Sequence, residues 1–287
     1  MKLCLSCSQQ FAATGWTCPA CGFAAPFANG FPSFAQPEGG DGFQPEFFAE
    51  LAELEAGHFW FQSRNRLILW SLGKYFPAAR SFLEVGCGTG FVLSGVSRAF
   101  PTWQLAGSEY FAEGLPFAAA RVPASELIQA DARVLPFVEE FDVVGAFDVL
   151  EHIPEDETVL RCFHRVIRPG GGLLLTVPQH PWLWSTQDDY ACHVRRYAAS
   201  DLTAKLLEAG FRVEMKTSFV SLLLPALLLS RCRGGAQKDR HDPMAELRIG
   251  AGLNRACATA MAVERVLIKA GFRMAAGGSL LVAARKA

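Results

Sequence analysis

Nine residues, Leu83-Glu84-Val85-Gly86-Cys87-Gly88-Thr89-Gly90-Phe91, constrain this chain more than any other stretch. An apolar run enters three alternate glycines and an amphipathic run leaves them, which predicts a tight turn between a strand and a helix. Glycine lets the backbone turn sharply and approach a ligand closely. The helix start behind it offers unpaired N–H groups and the positive end of a dipole. The next apolar run ends in Ser108-Glu109, an acid 23 residues past Gly86. That is close to the spacing at which a carboxylate binds a ribose diol. Two more features predict to the same sheet edge, where open α/β sheets bind ligands. One is Gln129-Ala130-Asp131-Ala132, with an acid placed to bond an adenine amino group. The other is Phe141 to Ile153, an apolar run ending in the acid-rich turn that holds Glu151 and His152.

Beyond Arg80, strand-like and helix-like runs alternate. Ser81–Val85, Trp103–Ser108, Glu126–Gln129, Phe141–Phe147, Gly172–Val177, Arg212–Ser218 and Ser279–Ala284 read as strands. Phe91–Phe100, Phe111–Ala120, Glu155–Arg168 and Ser200–Ala209 read as helices between them. This order predicts an α/β fold with helices on both faces of a mostly parallel sheet. Upstream, apolar positions three and four apart from Gln44 to Tyr75 predict helix. Residues 219–278 read as an apolar helical insertion before the last strand. Phe219 to Leu229 is apolar on every side, Pro225 can only start or kink a helix there, and Arg231 and Arg233 follow.

LEVGCGTGF, the acid in GSEY, QADA, FDVVGAFDVLEHI and VIRPGGGLLLTVP follow one another as in class I S-adenosylmethionine (SAM)-dependent methyltransferases. Over about residues 80–218 and 279–285 the chain resembles that family. The resemblance implies a seven-stranded Rossmann-like methyltransferase sheet whose last strand is antiparallel. It implies that Gly86, Gly88 and Gly90 line the methionine part and the sugar of SAM, with Glu84 close by. Glu109 would take the ribose hydroxyls, Asp131 and Ala132 would meet the adenine, and Phe147 would border the methionine end. His152 has two readings: a general base beside Glu151, or a packing residue beneath the cofactor. In this class the N-terminal helices close over SAM and acceptor, which makes His58, Trp60 and Arg64 candidates for the pocket wall.

The first 25 residues carry a different chemistry. Cys4 and Cys7, then Cys18 and Cys21, form two CxxC pairs with ten residues between them. Each pair puts two thiolates on one metal, and together they close a tetrahedral Cys4 site. So small a unit builds no core, so a structural Zn2+ would hold it. The expected division is a zinc ribbon over 1–25, a Gly- and Pro-rich linker over 26–45 and a methyltransferase domain over 46–287. Phe31-Pro32-Ser33-Phe34 resembles the tail of ribbon modules fused to some rRNA methyltransferases and of the small activator subunits of tRNA methyltransferases. That keeps RNA in view as an acceptor. Against RNA stands Lys2, the one basic residue among the first 25, because RNA contact needs Lys and Arg near phosphates.

The formal net charge of −1 gives no global basic excess that would draw the chain to nucleic acid. No secretory signal and no run of roughly 18 apolar residues is evident, and the cysteines are not spread as in a disulfide scaffold. The expected setting is the cytoplasm, with peripheral membrane contact through the apolar insertion as a further possibility. A long loop, Val177 to Tyr197, begins at the ligand edge and is rich in His, Arg and aromatics. His180 and His193 are its candidate general bases, and Arg195, Arg196 and Tyr197 its candidate acceptor contacts. The expected activity is direct methyl transfer to an oxygen or nitrogen of a small or lipid-like acceptor. The alternatives are an RNA methyltransferase guided by the ribbon and a non-catalytic SAM-binding protein that engages a partner through it.

Overall fold

The computed structural model describes residues 1–35, 46–233 and 248–287. At the N-terminus, β1 (Lys2–Leu3) pairs with β2 (Gln10–Phe11), and β3 (Phe27–Ala28) with β4 (Phe31–Pro32), both antiparallel. Cys4, Phe11 and Cys18 are buried together, with Phe23 against them. This unit is joined to the rest of the molecule: Trp16 packs on Phe34 and Phe137, ring centroids 4.6 and 5.5 Å away. Residues 26–35 are therefore a hairpin and a docking segment, not the linker expected there. The remainder of that expected linker, 36–45, lies outside the described residues.

One continuous helical stretch is predicted up to Tyr75, and two helices form: α1 (Phe47–Leu54) and α2 (Phe59–Tyr75). His58 parts them. Its backbone is extended (φ −88°, ψ 134°), and its Nδ1 accepts the Trp60 N–H at 3.3 Å, capping α2.

The remaining elements are β5 (Ser81–Val85), α3 (Phe91–Ala99), β6 (Gln104–Glu109), α4 (Leu115–Arg121), β7 (Glu126–Gln129), β8 (Phe141–Phe147), α5 (Asp156–Val166), β9 (Ile167–Pro178), α6 (Thr186–Tyr190), α7 (Ala199–Glu208), β10 (Phe211–Phe219), α8 (Leu224–Arg233), α9 (Ala251–Lys269) and β11 (Ser279–Lys286). Seven strands form one sheet in the order β7-β6-β5-β8-β9-β11-β10, with β11 antiparallel to both neighbours. This is the α/β arrangement that the motif order implies. Alternate strand residues feed opposite faces. Leu83, Val144, Leu173, Leu175 and Val282 pack with α5 and α7, while Phe82, Val143, Leu174 and Leu281 pack with α2, α3 and α9. With both faces covered, β8 is apolar from Val143 onward, while Asp142 at its start accepts the Arg80 and Ser81 N–H groups. The helix predicted from Phe111 starts at Leu115, because the Glu109 carboxylate captures the N–H groups of Tyr110 and Phe111. Pro116 then suits the first turn.

Within the insertion, α9 buries Met261 and Ile268 and packs along α2. Asn254 clips the two helices: its Oδ1 accepts the Phe59 N–H (2.8 Å) and its Nδ2 donates to the Gly57 carbonyl (2.9 Å). The buried Glu264 carboxylate accepts the N–H groups of Val220, Ser221 and Leu222 and fixes where the insertion begins. Leu222, Leu228 and Leu229 of the apolar run are exposed, as are Val263 and Val266 of α9, so the described residues do not enclose that run. The side chains of Arg231 and Arg233 lie outside the described residues. No helix among the described residues is long and apolar enough to cross a membrane.

Candidate functional site

The carboxyl ends of β5 to β8 open on a cavity of about 750 Å3, with α1 and α2 along its side. Its floor is the glycine turn. Gly86 and Gly90 have left-handed φ of 68° and 74°. A Cβ on Gly86 would stand 2.5 Å from a Val149 methyl, and one on Gly90 2.8 Å from the Ala118 Cα. Both positions thus exclude a side chain by conformation and by space. Glu109 is held by backbone: Gly88 N–H donates to Oε2 (2.8 Å), and Tyr110 and Phe111 N–H donate to Oε1 (2.8 and 3.2 Å). Burial raises its carboxyl above the usual range. Glu84 is also buried, and its Oε2 has no hydrogen-bond partner among the described residues. Burial pushes that carboxyl well above the usual range, with Arg64 opposing the shift.

These features fit SAM. An orphaned carboxylate suits a cationic group, a backbone-fixed carboxylate suits a diol, and a glycine cradle suits close approach. Glu84, Gly86, Gly88, Glu109, Asp131, Ala132 and Phe147 all line this one cavity, whereas Gly90, also expected there, lies outside the lining and turns its Cα hydrogen toward Ala118. Asp131 is held by Arg133, whose Nε and Nη2 reach its oxygens at 2.7 to 3.0 Å. Arg133 lines the cavity too, although sequence reasoning passed over it; its signal was proximity to Asp131. A staple pins α1 over the glycine turn: Glu55 Oε2 accepts from the Thr89 hydroxyl and from Arg121 Nη1, both at 2.6 Å. Arg121 Nη2 donates to the Ala52 carbonyl at 2.8 Å. Nothing in the sequence pairs these distant residues.

On the opposite side, Trp60 and Arg64 line the cavity. The Arg64 guanidinium lies 4.3 Å over the Trp60 ring and pairs with Asp148, which follows β8 with a left-handed φ of 59°. His58 is outside the lining and caps α2, with burial lowering its pKa. The loop after β9 is closed at its base by pairing of Gln179 with Tyr197. Two buried carboxylates hold it. Asp188 accepts from Arg196 Nε (2.6 Å), the Ser185 N–H (2.8 Å) and the His193 Nδ1 side (2.9 Å). Asp156 takes the Tyr197 hydroxyl (2.7 Å), Lys205 (2.8 Å) and Arg195 (2.5 Å). Arg195, Arg196 and Tyr197, expected at the acceptor, are instead engaged in this internal framework and line no part of the cavity. His180 stacks on Trp182 outside the lining, and burial, with Arg196 nearby, lowers its pKa. His193 does reach the cavity wall.

Two clusters have metal-ligand chemistry. The sulfurs of Cys4, Cys7, Cys18 and Cys21 lie within 4.8 Å of one another, with Cys4–Cys21 at 3.6 Å and Cys7–Cys18 at 3.7 Å. Tetrahedral zinc with bonds of about 2.3 Å sets sulfur–sulfur edges of about 3.8 Å, so the set fits. The second cluster is Glu151, His152 and His193, whose ligand atoms also lie within 4.8 Å. Glu151 is fully buried with neither carboxyl oxygen hydrogen-bonded among the described residues, and its Oε1 is 4.0 Å from His193 Nε2. Burial, then the Asp148 charge, pushes its carboxyl well up. Burial, then His193, lowers His152 to about 4.

Residues 83–175 match the family described as methyltransferase domain. A Mycobacterium tuberculosis protein described as "Probable S-adenosylmethionine-dependent methyltransferase" is 29% identical over 167 residues, 56% of this chain and 58% of that one. The ubiquinone biosynthesis O-methyltransferase of Pseudomonas syringae is 26% identical over 155 residues, 46% of this chain and 64% of that one. The chain thus spans less than two thirds of the length of these curated relatives. Among solved structures, the complex of the Haloferax volcanii Trm112 methyltransferase activator with a methyltransferase aligns at a TM-score of 0.55 and 17% identity, over 84% of this chain and 96% of that one. At that identity the likeness shows the fold alone.

Proposed function

We propose that this chain, a member of the class I SAM-dependent methyltransferases, binds SAM along Gly86–Gly90 and Glu109 and directs its methyl group to an oxygen or nitrogen of a small or lipid-like acceptor. One observation carries the reading: a single cavity of about 750 Å3 joins every expected SAM residue but Gly90 to Trp60, Arg64 and His193. Pockets for small ligands span about 300–1,000 Å3, so this one has room for cofactor and acceptor side by side. When bound, the sulfonium supplies a methyl group already activated for in-line transfer, and the protein's task is chiefly placement. Arg64, fixed by Asp148 and Trp60, orients a polar acceptor group. Asp188 keeps its charge and so holds the proton of His193 on Nδ1, leaving Nε2 free to accept the proton of a hydroxyl or amine. The exposed apolar residues of α8 and α9 favour a lipid-like acceptor or a peripheral membrane contact.

Incubation with methyl-labelled SAM and fractionated lysate tests this. Label in small molecules or lipid supports the reading. Label in RNA selects the ribbon-guided alternative, and binding of S-adenosylhomocysteine (SAH) without transfer to any fraction selects the non-catalytic one. A structural zinc at Cys4, Cys7, Cys18 and Cys21 belongs to the same proposal, with one zinc per chain expected by elemental analysis. A second reading of the His193 wall is favoured by the unpartnered Glu151 oxygens: a divalent cation held by Glu151, His152 and His193 that polarises the acceptor oxygen. Stimulation by Mg2+ or Mn2+ with the ribbon zinc retained would select it over proton transfer to His193 alone.

A further inference from the structure

We propose that Gln129 is a positioning residue through which the N-terminal Cys4 unit sets the affinity of the SAM site. The proposal rests on the SAM-binding reading above and assigns a role that reading leaves open. As the last strand on its side of the sheet, β7 would present a row of unpaired N–H and C=O groups. The chain's own N-terminus covers that edge. The Phe34 N–H donates to the Gln129 carbonyl (2.8 Å), with Ser33 in parallel register beside Gln129. On the other flank, the Leu3 N–H donates to the Pro136 carbonyl and the Val138 N–H to the Met1 carbonyl, both at 2.9 Å. Lys2 lies 3.9 Å from the Trp16 ring centroid and 2.8 Å from Glu126.

The side chain of Gln129 turns this cover into a link. Its Oε1 accepts the Ser33 hydroxyl at 2.7 Å, and its Nε2 donates to the Tyr110 carbonyl at 2.9 Å. Tyr110 follows Glu109, and its own N–H holds the Glu109 carboxylate. Glu109 faces Gln129 in the β6–β7 register, and its carbonyl accepts the Ala130 N–H at 3.0 Å. A buried amide is thus satisfied on one side by the N-terminal unit and on the other by the turn that presents the ribose acid. Ser33 in turn is held from the knuckles: its N–H donates to Pro26, the Ala25 N–H to Trp16 and the Cys18 N–H to Phe23. Deleting the Ser33 hydroxyl leaves Gln129 Oε1 without that donor in a buried site. The amide is then free to reorient, and Tyr110 loses its restraint.

The test is calorimetric titration of the full chain with SAH: unaltered, Ser33→Ala, Ser33→Thr, Gln129→Leu and zinc-depleted by chelation. Ser33→Ala should weaken SAH about threefold to tenfold, the range of one buried hydrogen bond. Ser33→Thr, which keeps the hydroxyl, should return to within about twofold. Zinc depletion should weaken SAH at least as much as Ser33→Ala. In turnover, KM for SAM should rise while kcat and the acceptor KM hold, and amide exchange should quicken at Tyr110 and Phe111. Should Gln129→Leu fail to fold, the Ser33 pair decides. Ser33→Ala and zinc-depleted protein that bind SAH like the unaltered chain overturn the proposal. So does a loss that Ser33→Thr does not restore and that moves kcat and both KM values together. An unaltered chain that binds no SAH removes the SAM reading, and the proposal with it.

Discussion

The two walls of the cavity are held by different means. On the cofactor wall the work is done by backbone: left-handed glycines, strand ends and N–H groups that grip Glu109. On the acceptor wall it is done by charge, with Asp188 and Asp156 each gathering cationic and hydroxyl partners across the loop. A backbone cradle admits few residues at fixed spacing, so it has a spelling. A charge hub admits many sequences that keep its pairs, so it has none. The first wall should fail as a binding site and the second as a structure.

The largest expected effect tests the hub. Asp188→Asn strands Arg196 in a buried site and should lower stability by about 3–5 kcal/mol, read by denaturant titration. SAH affinity of the folded protein should stay within about twofold; a large loss of binding with little loss of stability would erase the contrast between the walls. The acid limb sharpens it. Burial alone would raise the Asp188 carboxyl, but the bonds from His193 and Arg196 hold it at about 2. Its contribution is therefore complete above the ordinary carboxyl pKa of about 3.9 and is lost as pH falls through about 2. Between those values Tm should fall more steeply for the unaltered chain than for Asp188→Asn. Gly86→Val should come next, reducing SAH affinity at least about 100-fold, or about 2.7 kcal/mol, because Val149 fills the space a side chain needs. Glu109→Ala should cost about tenfold, or about 1.4 kcal/mol, in the same titration. Smallest is Tyr197→Phe, which removes one bond to Asp156 and should cost about 1 kcal/mol of stability with no change in SAH binding.

That contrast explains what the sequence could disclose. Strands β5, β7 and β8 are legible to the residue, because the consecutive apolar pairs Phe82-Leu83, Leu127-Ile128 and Val143-Val144 mark strands buried on both faces. Gly86, Gly90 and Glu109 are legible because each answers a backbone requirement. The break at His58 is not, since the apolar stripe runs on through it and the cap is a single side-chain contact. Nor is the docking of Ser33 on Gln129, where Gly- and Pro-rich composition reads as linker and the decisive bonds span 96 positions. Arg195 and Arg196 look like anion receptors because their partners, Asp156 and Asp188, are not marked in sequence as buried. His193 was legible as a histidine at the ligand edge, but its Asp188 partner was not.

The place of β11 has a consequence for biosynthesis. β10 joins the sheet through β11, which is itself wedged between β10 and β9. The ribosome must make about 60 residues after β10 before Ser279 appears, which at about 5–20 residues per second takes about 3–12 seconds. Through that interval β9 has a bare edge, β10 has no partner in the sheet, and the apolar residues of α8 are already synthesised. A nascent chain paused there is the form that calls for a chaperone, and slow codons within 219–278 would lengthen the exposure.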